Sequence, residues 1–226
     1  HRALGDRGGA GSAGIGLSLY ELALVLREQG HFERAAALYT ESEQLHRKLG
    51  DLEGLAVALL GQSDVARDTG NSAGVRQYST PSLVLLRQFG LQWAFGYVLN
   101  NQAVGAYLEG DLKEAAALAG ESVELFRDIH NDSGLAEVLI TLGQIRRAQG
   151  DANAAYNALT EALRLAHAVG PRLLLTTALE GMASVLAGEE RPGWGAPRLG
   201  GAAAMRAQMG PPAGPLGQGE GEQGPR

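Results

Sequence analysis

Three arginines suggest chemistry before any structural element is drawn. Arg27, Arg67 and Arg147 each lie three before a glycine, and Tyr107 holds the matching place before Gly110. A guanidinium presents a planar fork of donors that grips a carboxylate or phosphate through two parallel hydrogen bonds. A row of such groups, helped by the phenol of Tyr107, could hold an anionic ligand. The same spacing has a plainer reading: cations near helix C-terminal ends meet the helix dipole and pair with acids such as Glu28, Asp64 and Asp68. From sequence both readings stand open.

Other chemistry finds no support. There is no G-x-x-x-x-G-K-[ST] loop, and Lys48 and Lys113 are the only lysines. The glycines of 8–16 follow no strand, so they do not form a dinucleotide fingerprint. His1, His31, His46, His130 and His167 include no i,i+4 pair and no H-E-x-x-H, which argues against a metal site. No G-x-S-x-G elbow is present, and the absence of cysteine removes disulfides, thiolate chemistry and Cys-type zinc sites. The expectation is no cofactor, no metal and no enzyme.

Composition points the same way. Of 226 residues 45% are hydrophobic but only 5% aromatic, with four Phe and two Trp. Much of the apolar content is Ala and Leu, which cost least in a helix and let helices approach closely. Many small helix–helix contacts are therefore expected in place of one central core. The net charge of −6 comes without a basic stripe or a block of like charges, which disfavours nucleic acid and anionic lipid. No apolar run is long enough for a membrane span, so none is expected. The chain opens on His1 without a signal peptide; it reads as a segment of a longer, cytoplasmic protein.

The elements that must position the arginines are set out by glycine. Gly30, Gly70, Gly110 and Gly150 recur at every fortieth position; Gly50, Gly90, Gly170 and Gly210 form a second series midway between them, with His130 in its gap. Each follows a long stretch of helical pattern, as a left-handed residue closing a helix would. Two helices per repeat follow, near 13–29, 32–48, 53–69, 72–89, 92–109, 112–129, 133–149, 152–168 and 171–187, with a last one over 196–209. Small residues recur seven before the first-series glycine (Ala23, Ala103, Gly143), five after it (Ala35, Ala115, Ala155) and twelve after it (Ser42, Ser122, Ala162). Bulk at those places would push helix axes apart. Pro81 falls inside the second helix of the second unit, where a break at Ser79–Thr80 is expected.

With Leu22-Ala23, Gly30, Phe32, Ala35, Tyr39 and Ser42 at these offsets, the chain resembles the tetratricopeptide-repeat (TPR) family, over residues 12 to 187 and more weakly to Gly210. The resemblance implies an all-α, right-handed solenoid of antiparallel helix pairs, with units longer than the family's usual ones. The units read as 12–50, 51–90, 91–130, 131–170 and a degenerate 171–210. Residues 1–11 read as the tail of a preceding repeat and a glycine-rich linker, and 211–226 as a disordered Gly/Pro-rich tail.

The resemblance also implies a concave groove lined by Tyr20, Leu24, Arg27, Asp64, Arg67, Tyr97, Asn100, Val104, Tyr107, Gln144 and Arg147, with Tyr20 and Tyr97 reading better as half-buried packing between repeats. A protein, a peptide or a small effector would bind there, and exposed repeat ends could drive self-association. The linker Leu49-Gly50-Asp51 and the stretch Arg198-Leu-Gly-Gly-Ala-Ala-Ala-Met-Arg206 look like the C-terminal repeat region of bacterial LuxR-type regulators and signal-transduction ATPases. That setting implies a sensor or interaction module; a stand-alone adaptor is the alternative.

Overall fold

The computed structural model describes the backbone of residues 2–169 and 172–188, with side chains over 14–168 and 174–186. Among the described residues there are nine helices: α1 (Arg2–Glu28), α2 (Phe32–Leu49), α3 (Leu52–Asp68), α4 (Ser72–Phe89), α5 (Gln92–Glu109), α6 (Leu112–Asp128), α7 (Asp132–Ala148), α8 (Ala152–Val169) and α9 (Arg172–Gly188). Each helix packs on the next. The odd-numbered helices also touch one another (α1 on α3, α3 on α5, α5 on α7, α7 on α9), whereas no even-numbered pair meets among the described residues. Helices that meet their counterparts form the inner row of a stack, and those that do not form its outer row. The fold is an all-α helical-repeat solenoid.

One two-residue device makes the turns. Gly30, Gly50, Gly70, Gly90, Gly110 and Gly150 all take positive φ, and His130 does so at 53° in the place that glycine vacates. At Gly110 the left-handed residue donates its N–H to the Tyr107 carbonyl, and Asp111 donates its own to Ala106. Two orphan carbonyls of α5 are thereby satisfied. Asp111 then opens α6, its side chain accepting from the Glu114 N–H at 2.9 Å. Asp51, Asn71, Asn131 and Asp151 open their helices in the same way.

Two expectations change. Helix α1 runs unbroken from Arg2, through the stretch 1–11 that was read as a repeat tail and linker. Helix α4 passes Pro81 without the expected break at Ser79–Thr80. Proline at 81 cannot donate to the Gln77 carbonyl. Both residues are exposed on the outer row, so water can take that acceptor, and the Thr80 hydroxyl bonds back to the Arg76 carbonyl at 2.9 Å. The expected helix over 196–209, the glycines 170 and 210 and the tail 211–226 lie outside the described residues.

The interior is a series of size matches between helices. His46, Leu86, Phe126 and Ala166 are buried equivalents on the outer helices. Thirty positions earlier stand Gly16, Ala56, Gly96 and Ala136; eight positions later stand Gly54, Ala94, Gly134 and Leu174. The two rings have glycine on both sides, and Leu86 has alanine on both sides. A Cβ on Gly96 would lie 2.7 Å from the Phe126 ring and one on Gly134 2.5 Å from it, so neither can be larger while the ring stays. A second layer repeats the rule: Tyr39 lies against Gly61, and Leu159 against Gly143 and Gly181. Where Gly16, Ala56 and Gly96 let the backbones close, Ser42, Ser82 and Ser122 each donate to those carbonyls at 2.8 Å.

Helix α1 ends the stack with Ile15, Leu22 and Val25 exposed at 56%, 52% and 47%. Their equivalents Leu55, Gln62 and Val65 are buried under the preceding unit.

Two outcomes follow from these packing rules. His130→Gly should stabilise the chain by about 1 kcal/mol by removing the left-handed penalty, raising the melting temperature by roughly 2–4 °C. Gly96→Ala with Gly134→Ala should lower stability, since overpacking costs about 1–3 kcal/mol. Added to Phe126→Leu, the same pair should raise it, because the second unit already combines leucine with two alanines. Denaturant melts of the four chains check whether the sign reverses.

Candidate functional site: the inner face

The inner row collects the residues singled out from sequence into two groups of different character. Toward the N-terminal end, Arg27 of α1 donates to Asp68 of α3 at 2.9 Å and lies 3.9 Å from Asp64. Arg67 of α3 bonds Asp68 at 2.9 Å, the Asn101 amide oxygen at 2.9 Å and Glu137 of α7 at 2.7 Å. Asn101 closes the network by donating to Asp64 at 2.7 Å and to the Ser63 hydroxyl at 3.2 Å. Four inner helices are thus tied by one polar cluster. The arginine side chains are only 15% and 14% exposed, so their fork geometry is used on the protein itself.

The electrostatics follow from that enclosure. Burial works against the charged form of Arg67, but Glu137, Asp64 and Asp68 together outweigh it and hold its pKa above the usual arginine value. Arg27 behaves alike, burial being outweighed by Asp64 and Asp68. Truncating one member would leave its partner charge buried and unpaired, the costly case for an enclosed network. Burial first and the Asp64 carboxylate second raise the phenols of Tyr20 and Tyr39, whose rings lie 5.3 Å apart. Tyr97, edge-on to Phe126 at 5.0 Å, is pushed up to about 12 by burial, with Glu137 and Asp64 adding to it.

The plainer reading of the arginines therefore describes Arg27 and Arg67, down to the acids Asp64 and Asp68. Two participants escaped sequence reasoning. Glu137 lies nearly two units along the chain from Arg67, and Asn101 occupies a place where the second unit has Gly61; no local spacing marks either. Asn100 is 1% exposed, its Oδ1 buried with no partner among the described residues, and Ser79 Oγ shares that state.

Toward the C-terminal end the face opens. Arg147 and Gln144 are exposed, and Tyr107 is half-buried beside them. With Thr177, Glu180 and Ser184 of α9 they line a cavity of about 360 Å³ above Gly143, Gly181 and Leu159. Between the two groups lies Val104, and Leu24 lies at the N-terminal end; both are half-buried. Among the described residues no group of three His, Asp or Glu side chains could hold a metal, and no helix is long and apolar enough to cross a membrane.

No known family pattern matches the chain, and no curated protein does. Solved structures do. BtubC (BKLC) from P. vanneervenii is similar at a TM-score of 0.70 and 16% identity, over 100% of this chain and 92% of that one. The signal transduction ATPase with numerous domains and a tetratricopeptide repeat sensor from Pyrococcus horikoshii gives 0.66 and 19%, over 84% of this chain and 29% of its own. A Rap protein complexed with competence and sporulation factor gives 0.76 and 14%, over 84% and 53%. The chain thus spans under a third of that ATPase and about half of Rap. At these identities the likeness establishes the fold, which is that of TPR proteins.

The raised phenols make stability depend on pH. Folded Tyr97 keeps its proton to about pH 12 while an unfolded tyrosine loses it near 10. Unfolding therefore releases protons above pH 10. The stability is complete below pH 10 and is lost as pH rises through 12. Melting temperature should fall across that window together with the rise of tyrosinate absorbance, and Tyr97→Phe should flatten the fall. An equally steep fall in the variant would remove Tyr97 as a cause.

Proposed function

We propose that the chain is an interaction scaffold whose inner face binds a protein or peptide, and that it serves as the sensor module of a larger regulator or signalling ATPase. The observation that carries the reading is the division of the inner face. Arg27, Asp64, Arg67, Asp68 and Glu137 brace one half internally, while half-buried Val104 and Tyr107 and exposed Gln144 and Arg147 leave apolar and polar groups open along the rest. A braced, concave surface with mixed chemistry suits an extended partner, because little of its own order must be created on binding.

The likeness to the sensor-bearing ATPase and to Rap, the latter in complex with competence and sporulation factor, supports a partner-binding module. The second reading is a stand-alone adaptor that assembles other proteins on the same face. The bare apolar side of α1 supports stacking of a second unit or a second copy there. Walker and DNA-binding motifs upstream in the gene separate regulator from adaptor.

The binding face is tested by selecting peptides on the immobilised chain and measuring the affinity of the best. Val104→Arg and Gln144→Trp should weaken it at least tenfold, and Val84→Arg, on the outer helix α4, should leave it unchanged. Loss with Val84→Arg alone would place binding on the outer row and end the proposal.

A further inference from the structure

Helices α4 and α6 flank α5 without meeting each other, and a cavity of about 290 Å³ lies among the three. Its charged residues break the repeat. Glu109 corresponds to Gln29, Thr69 and Gln149 of the first, second and fourth units, and Glu114 to Arg34, Gly74 and Ala154. Arg76 is bonded to Glu109, which also accepts from Ser72. Glu114 acts on Arg76 only from farther off, and its carboxylate makes no hydrogen bond or ion pair among the described residues. Two carboxylates thus line the cavity against one guanidinium, which leaves one negative charge over. Gln102 lines it too, half-buried and with no amide partner among the described residues. Its equivalent Gln62 donates to Glu43, but Leu83 stands at the place of that acid.

The floor is apolar and under-filled. Ala35 with Val65, Ala115 with Ile145 and Ala155 with Val185 are equivalent buried pairs of a small and a branched residue. Here the pair is Val75 with Gly105, smaller by at least a methyl group. A Cβ on Gly105 would lie 3.1 Å from Val75 and otherwise enter open space. Val75 has taken part of the room, and the rest is the cavity, with Ala106 and Leu118 beside it. An anion would face the surplus carboxylate, and a wholly apolar group would cover Glu114 without pairing it. A long unbranched stem ending in a cation suits both features. Its methylenes cover the floor, while its head reaches Glu114 and the amide oxygen of Gln102.

We propose that this cavity is a docking site for a lysine side chain of a partner protein, its stem over Gly105 and its ammonium on Glu114. The site shares no residue with the inner face, so its loss would leave peptide binding there unchanged. Nuclear magnetic resonance titration of the isotope-labelled chain with Nα-acetyl-L-lysine methylamide tests it. The Ala106 N–H and the Gln102 side-chain amide should shift saturably. The blocked norleucine analogue, which keeps the stem and lacks the charge, should bind at least tenfold more weakly. Glu114→Gln, at an exposed position, should weaken lysine binding at least tenfold and leave norleucine binding as it was. Val75→Ala with Gly105→Val, which restores the pair of the first unit, should melt no lower than the parent chain and lose both ligands. No saturable shift, equal binding of norleucine, or lysine binding unaltered by Glu114→Gln overturns the site. Cadaverine binding as tightly as the blocked lysine would assign the cavity to a free amine and overturn its role in docking.

Discussion

Between one helix and the next, the chain must reverse in two or three residues, and among the described links a left-handed residue makes this possible. It has to point its N–H back at the last turn while the following residue both finishes that turn and caps the next helix. At Gly110–Asp111 a single aspartate donates to α5 and accepts from α6. With the links this short, helix length and phase cannot drift. Equivalent positions of successive units therefore face the same way. The arginines three before the first-series glycines lie on the inner row, and their own carbonyls receive the glycine N–H at the helix end.

Fixed phase makes packing a local negotiation over volume. With helix axes held, a large side chain on an outer helix can be accommodated only by small ones on the two inner helices that flank it. Phe126 with Gly96 and Gly134, Leu86 with Ala56 and Ala94, and Leu159 with Gly143 and Gly181 are three settlements of one constraint. The second unit settles it differently. Ser79 replaces the bulky residue, and Ser63, Asn101 and Asp64 fill the layer with polar groups. A polar layer demands partners, and the network through Arg67, Arg27 and Glu137 supplies most of them.

These relations explain what could be read in advance. The helices and turns were legible because glycine, aspartate and asparagine act through the backbone within a few residues. Even the irregular His130 could be placed, since the period demanded a left-handed residue there. The small positions Ala23, Ala35 and Ser42 and their equivalents were legible for the same reason. Pro81 misled because a proline's cost depends on which row its helix occupies, and an outer carbonyl can turn to water. Of the partners of Arg67, Asp64 and Asp68 were legible but Glu137 was not, because it is nearly two units away and nothing nearby marks it. Nor was the cavity, which exists only where Gly143, Gly181 and Leu159 are assembled from three helices.

The division of the inner face follows from the same logic. Acids at Asp64 and Asp68 serve two arginines because α1 and α3 lie side by side; in α5 and α7 those positions become Val104, Leu108, Gln144 and Ala148. Losing the acids removes the reason for the later arginine to fold inward, and Arg147 is correspondingly exposed where Arg67 is enclosed. A network that crosses four inner helices resists changes in the stack's curvature, whereas α7 and α9 leave a cavity between them with an exposed arginine at its edge. On the proposed function, a partner bound at the open end would act against a fixed frame. In a repeat stack, where each unit rests only on its neighbours, such an arrangement can turn local binding into a change of shape.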